Sequence, residues 1–146
     1  MALLVVLIVI QFIQPSHNFS KRLSPTDFSK IFIVPVNVQV VLKNACLDCH
    51  SNNTAYPWYA SLQPMAWMLA NHIKKGKEVL NFGEFGLLGK HRQISKLKAI
   101  ASQVKDNEMP IASYKWMHKK ARLSAAEKML VISWMNQIAD SLSANQ

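Results

Sequence analysis

Both cysteines of the chain fall in one short window, Cys46-Leu47-Asp48-Cys49-His50, and no other feature narrows the possible structures as much. Two intervening residues let both thiols reach one edge of a flat group, and the imidazole that follows can turn beneath a metal at its centre. C-x-x-C-H is the signature for attaching a c-type haem: the thiols form thioethers with the vinyl groups and the imidazole binds the iron from one side. With 2 Cys and 5 His in the chain, random placement would produce this spacing on the order of once in two thousand shuffles. A redox dithiol and half of a zinc site are the competing readings. The first wants a βαβ context and a helix N-terminus to lower a thiol pKa, which the Asn- and Ser-rich surroundings do not supply. Zinc needs two more ligands, and His72, His91 and His118 lack a local paired spacing.

The group opposite the imidazole decides whether a haem transfers electrons or binds outside ligands, and a Met/His pair raises the potential. Met109, 59 positions beyond His50 and directly before Pro110, is the expected sixth ligand, because a fixed φ after it limits the freedom of its loop. His118 is the alternative, and a gap-filling role is the plainer reading of any loop methionine. Met65, Met68 and His72 read as core or haem-wall residues on a helix. Tyr56, Trp58 and Trp67, with Tyr59 and Trp116, are candidates to wall the haem and donate to its propionates, although core packing accounts for each of them equally well.

A length of 146 residues suits one domain, and 50% apolar against 17% charged residues excludes disorder and low-complexity classes. Only 4 glycines and 6 prolines argue against a many-turned β sandwich and for a small, mainly α domain. A net charge of +9 favours anionic partners: nucleic acid, anionic lipid or acidic proteins. Lys74-Lys75-Gly76-Lys77 and Lys119-Lys120-Ala121-Arg122 read as solvated faces, or as docking points for an acidic redox partner.

Ala2 to Ile10 is uninterrupted apolar, and Pro15 stops any helix that continues from it. Residues 1–15 therefore read as a signal or membrane-anchor segment, and 16–35 as a tether to a domain spanning 36–142. A helix from Ala2 to Ile13 would be about 18 Å long, short of the roughly 30 Å hydrocarbon of a bilayer. No basic residue precedes the run, no A-x-A-like cleavage site follows it, and Lys21 and Arg22 lie on the unexpected flank. A start codon placed too late is one explanation, and an ordinary buried N-terminal element is the simplest competing reading.

Within the domain, Val36 to Ala45 reads as a short helix leading into the cysteine window, with a strand as the alternative. Cys46 to Pro57 reads as loop. Met65, Met68, Leu69, His72 and Ile73 mark one helix face ending near Gly76, and Asn81 to Gly89 reads as a turn region. Ile94, Leu97, Ile100, Ala101 and Val104 define an amphipathic helix. Asp106 to Arg122 is irregular, and Ser124 with Glu127 forms a capping box opening a last helix through Leu130, Val131, Trp134, Met135 and Ile138.

Taken together, Cys46-Leu47-Asp48-Cys49-His50-Ser51-Asn52-Asn53-Thr54, Tyr56-Pro57-Trp58-Tyr59, Gln63-Pro64, Trp67, His72, Asn81-Phe82, Glu108-Met109-Pro110, Tyr114 and His118 resemble the bacterial haem-binding domain family. These are small exported proteins with one C-x-x-C-H motif, often tethered at the N-terminus, and the likeness runs from about Val36 to Ile138. The resemblance implies a cytochrome-c-like helical fold around one covalent haem c. It places Cys46 and Cys49 at the thioether positions, His50 as proximal ligand and Met109 as the methionine of the M-P motif. It also implies a location on the periplasmic side of the bacterial inner membrane, which disfavours nucleic acid as a partner. The N-terminus departs from the family pattern in lacking leading lysines and a full-length apolar run.

The leading expectation is an electron-transfer cytochrome, N-terminally anchored, meeting an acidic redox partner and offering no site for a small-molecule substrate. The alternatives are a haem-based sensor with a labile sixth ligand and a haem subunit of a peroxidase or oxidase assembly. Direct catalysis would need an open iron and acid/base groups, for which His72, His91 and Glu108 are the only candidates.

Overall fold

The computed structural model describes residues 1–144, and among them the secondary structure is helical apart from one isolated bridge between Phe19 and Asn53. The helices are α1 (Ala2–Ile10), α2 (Phe28–Ile31), α3 (Val36–Ala45), α4 (Leu47–His50), α5 (Met65–Val79), α6 (Lys90–Lys105), α7 (Ala112–Met117) and α8 (Ala125–Ala144), with 3-10 turns at Trp58–Ser61, Phe82–Leu87 and Lys119–Ala121. The mainly α expectation holds.

The scaffold is the pair α6 and α8, which pack along each other. Leu97, Ala101 and Val104 of α6 meet Val131, Trp134, Met135 and Ala139 of α8 in the main core. Two alanines in that set let the backbones approach, while each fully buried large side chain contributes roughly 1.5–3 kcal/mol. α3 adds Val38, Val41, Leu42 and Ala45 from one face and leaves Val36 and Val40 exposed. Burial overrides the weak strand propensity of its valines.

Residues 16–35 are packed onto the domain instead of forming a free tether. Phe28 is buried, with its ring edge-on to Phe82 at 4.9 Å, Phe85 at 5.0 Å and Trp134 at 5.7 Å. Such edge-to-face pairs add about 0.5–1.5 kcal/mol each beyond the area they bury. Farther along, Gly86 N donates to the Thr26 carbonyl at 2.8 Å, and a Cβ at position 86 would lie 3.0 Å from that same oxygen. Asn18 Nδ2 donates to the Ser51 carbonyl and to Thr54 Oγ1, fastening this strap beside the cysteine window.

The N-terminal helix is shorter than expected: α1 has 9 residues and ends at Ile10. No helix among the described residues is long and apolar enough to cross a membrane, so the expected membrane anchor finds no support in the fold. The helix stops because polar groups beyond it have partners on the domain. Gln63 N donates to Gln11 Oε1 at 3.0 Å, Gln14 Nε2 to the Ser61 carbonyl at 3.0 Å, and Gln63 Nε2 and Trp67 Nε1 both donate to the Ile13 carbonyl. The apolar side chains Leu3 to Val9 remain exposed.

Before α8 the capping box is formed as expected: Ser124 N and Oγ donate to Glu127 Oε2 at 2.8 Å, and Glu127 N donates to Ser124 Oγ at 3.2 Å. These bonds, the backbone one first, hold the Glu127 carboxyl below its ordinary value. A carboxylate depressed on folding contributes stability above its unfolded pKa, and that contribution is lost as pH falls through the folded value. Ser124→Ala is expected to cost about 1 kcal/mol in urea unfolding. Glu127→Gln is expected to be destabilising at neutral pH and nearly neutral well below the ordinary carboxylate value of 4.5; an equal difference at both pH values would remove the charge from this account.

Candidate functional site

The cysteine window is helical, and this corrects the loop expected over Cys46 to Pro57. Cys49 N and His50 N both donate to the Cys46 carbonyl, closing a single turn at α4. Positions i, i+3 and i+4 share one helical face, so the two thiols and the imidazole point the same way. All three line a cavity of about 510 Å³. The cysteines are free thiols; burial, and then the neighbouring Cys49, pushes Cys46 up to about 12, while burial, and then Asp48, pushes Cys49 up to about 11. Thiols held protonated in this way are poor nucleophiles, the reverse of what a redox dithiol requires. Among the described residues no group of three or more His, Cys, Asp or Glu side chains is placed to hold a metal ion.

Two contacts orient this turn against α5. The His50 Nδ1 lies 3.0 Å from the Leu80 carbonyl oxygen. A carbonyl only accepts, so the proton sits on Nδ1 and the Nε2 lone pair is left for a metal, the usual arrangement of a ligating histidine. One turn earlier, α5 runs straight through Gly76 to Val79, past the end expected for it. The glycine is a point of contact: a Cβ there would lie 2.7 Å from the Cys49 carbonyl oxygen.

Asp48 fastens the outer side of the turn. Its Oδ2 accepts from the Tyr114 hydroxyl at 2.6 Å, its Oδ1 from Ala55 N at 3.1 Å, and its carbonyl from Thr54 Oγ1 at 2.6 Å. Burial, and then the Asp48 carboxylate, raises the Tyr114 phenol far above its ordinary range, so it remains a donor. Tyr114 lies on α7, inside the segment expected to be irregular.

Met109 reaches the same cavity from α6. After that helix, Asn107 takes φ 62°, the left-handed region that asparagine tolerates. The Gln103 carbonyl then accepts from Glu108 N at 3.0 Å and Met109 N at 3.2 Å, which ties the methionine to the helix end. The remaining walls are mostly apolar, including Val79, Leu80, Ile100, Val104 and Ile111, with Lys75 and Lys96 as cations and His72 as a second imidazole.

The other expected residues lie elsewhere. His118 is outside this cavity, its Nε2 2.6 Å from the Tyr59 hydroxyl, and it lines a larger space of about 840 Å³ with Leu47 and Asp48. Tyr56 stacks on His17 and accepts from Asn18 N, Trp67 bonds the Ile13 carbonyl, and Trp58 is largely exposed. None of these three aromatic residues lines the cavity that holds the cysteines. His72, Lys75, Gly76, Leu80 and Lys96 carry the arrangement that motif spacing alone does not display.

Residues 5–137 match the haem-binding domain family. The chain belongs to that family. The match includes α1 from Val5 onward and the whole strap, so these segments are part of the family unit. No curated protein and no solved structure matches the chain. The cavity fits the family's cofactor: it has the size of ligand sites in general, apolar walls for a porphyrin, an imidazole with a free Nε2, and two lysines for two propionates.

Gly76→Val tests whether the close approach of α5 is required. The substitution improves helix propensity, yet its Cβ must displace the Cys49 backbone, at a cost of about 1–3 kcal/mol. Haem per polypeptide is expected to fall well below that of the unaltered protein; full loading would show that the turn can shift freely.

Proposed function

We propose that this haem-binding domain is a c-type cytochrome that carries single electrons. The observation that carries the reading is the convergence of Cys46, Cys49, His50 and Met109 on one cavity, with His50 Nδ1 bound to Leu80. Each thiol would add its S–H across one porphyrin vinyl group, giving the two thioethers of haem c. His50 would hold the iron through Nε2, and Met109 would approach from the α6 side as a thioether ligand, which favours a higher potential. Lys75 and Lys96 would offset the propionate charges, and the apolar walls would exclude water. The haem would supply the one-electron chemistry, while the protein provides orientation and electrostatics.

The same reading places the domain on the periplasmic side of a bacterial inner membrane, where haem c is attached. The exposed apolar face of α1 would contact lipid without spanning it, and the surplus of positive charge would draw an acidic redox partner.

Expression with a haem c maturation system tests the core of this proposal. A haem-sized gain in intact mass that survives acidified acetone is expected for the natural chain and absent from a Cys46→Ser, Cys49→Ser variant. Met109→Ala is expected to abolish the long-wavelength methionine–iron band of the oxidised protein and to lower its potential. A natural protein without that band, and a variant spectrum identical to it, would transfer the sixth position to His72, the other ligand type in the cavity.

A further inference from the structure

The Tyr-Pro-Trp-Tyr run, Tyr114 and His118 are not used by the electron-carrier reading, yet four of these side chains form a continuous series. Tyr114 belongs to the cavity wall beside Cys46, Cys49 and His50. Its ring stacks on His118 with centroids 4.1 Å apart and planes within 13°. His118 Nε2 lies 2.6 Å from the Tyr59 hydroxyl. Tyr59, only 8% exposed, meets the Trp58 indole edge to face at 5.9 Å, and Trp58 is 76% exposed. Rings in contact thus run from the cavity to solvent.

Phenols and indoles are among the side chains most readily oxidised by one electron. A phenol that loses an electron becomes strongly acidic and needs a base at hydrogen-bond distance, and Tyr59 has one in His118 Nε2. An exposed indole can release its N–H proton to water. The order along the series is therefore chemically apt: a stacked bridge at the cavity, a buried phenol with its base, and a surface indole as terminus.

We infer that Tyr114, His118, Tyr59 and Trp58 form a route that carries an oxidising equivalent from the haem cavity to the surface, away from the cofactor linkages. The inference rests on haem occupying the cavity as proposed above. With hydrogen peroxide as oxidant, the O–O bond breaks and two electrons with two protons give two waters. Reduced haem would supply one of the electrons and Trp58 the other through the route. Tyr59 passes its proton to His118 as it is oxidised and recovers it when Trp58 reduces it. Trp58 ends as the neutral indolyl radical, its proton and one from solvent completing the balance.

The test exposes reduced Met109→Ala holoprotein, in which no methionine would keep peroxide from the iron, to hydrogen peroxide and maps tryptophan oxidation by peptide mass spectrometry. Trp116, 76% exposed like Trp58, is the matched control, since it lies outside the series. Trp58 is expected to be oxidised several-fold more than Trp116, and Tyr59→Leu to bring the two to parity. Tyr59→Phe keeps the packing while removing the transferable proton, and it is expected to do the same. Equal oxidation in the Met109→Ala holoprotein overturns the route, as does a Trp58 preference that survives either Tyr59 substitution or appears in haem-free Cys46→Ser, Cys49→Ser protein. Haem content is read from absorbance before peroxide is added. Its absence overturns the electron-carrier reading and the route with it, whereas haem without a Trp58 preference overturns the route alone.

Discussion

The contact between the C-x-x-C-H turn and α5 is the constraint on which the site depends. At Gly76 the α5 backbone comes so close to the Cys49 carbonyl that no Cβ fits, and at the end of the same helix the Leu80 carbonyl accepts a hydrogen bond from His50 Nδ1. One helix thereby sets both the position of the turn and the tautomer of its imidazole. Were the turn free to slide, the thiols and the imidazole would still share a face, but that face would have no opposing wall.

The rest of the fold supplies that wall and keeps the turn from rotating. Asp48 is tied to Tyr114, Ala55 and Thr54, so the motif is gripped by segments other than α5 as well. The α6 and α8 pair forms the rigid base, and the left-handed turn at Asn107 delivers Met109 from the end of α6 into the cavity. The strap that carries Phe28 closes the aromatic core against Phe82, Phe85 and Trp134, close to the start of the segment that follows α5. A haem-binding domain of this size has few long helices to spare, and here a segment without regular structure contributes to the core.

Much of the helical architecture was legible because its signals are local. The 3.6-residue period of Ile94, Leu97, Ala101 and Val104 and the Ser124–Glu127 box are read within a few turns of chain. The helical turn at Cys46 to His50 was obscured by the Asn- and Ser-rich residues after it, whose preference for loops is real but begins one residue later. Gly76 read as a helix end because a glycine's need for space looks the same in one dimension as its need for conformational freedom. His118 and the aromatic residues were attractive as haem contacts by type alone; Tyr59 and Tyr114 instead hold His118, while Tyr56 and Trp67 bond the N-terminal segment.

Sequence alone thus determined the chemistry on offer: two thiols and an imidazole at a spacing suited to haem, a methionine before proline, a mostly helical chain, and a basic surface. Those properties follow from residue type and short-range spacing, which survive any folding pathway. The tertiary structure decided which groups meet. It brought Met109, His72, Lys75 and Lys96 to the cysteine face, sent His118 to Tyr59, and folded the supposed tether into the core. Such contacts join residues dozens of positions apart, and they are selected by the packing and hydrogen-bond satisfaction of the whole chain, which no local pattern records.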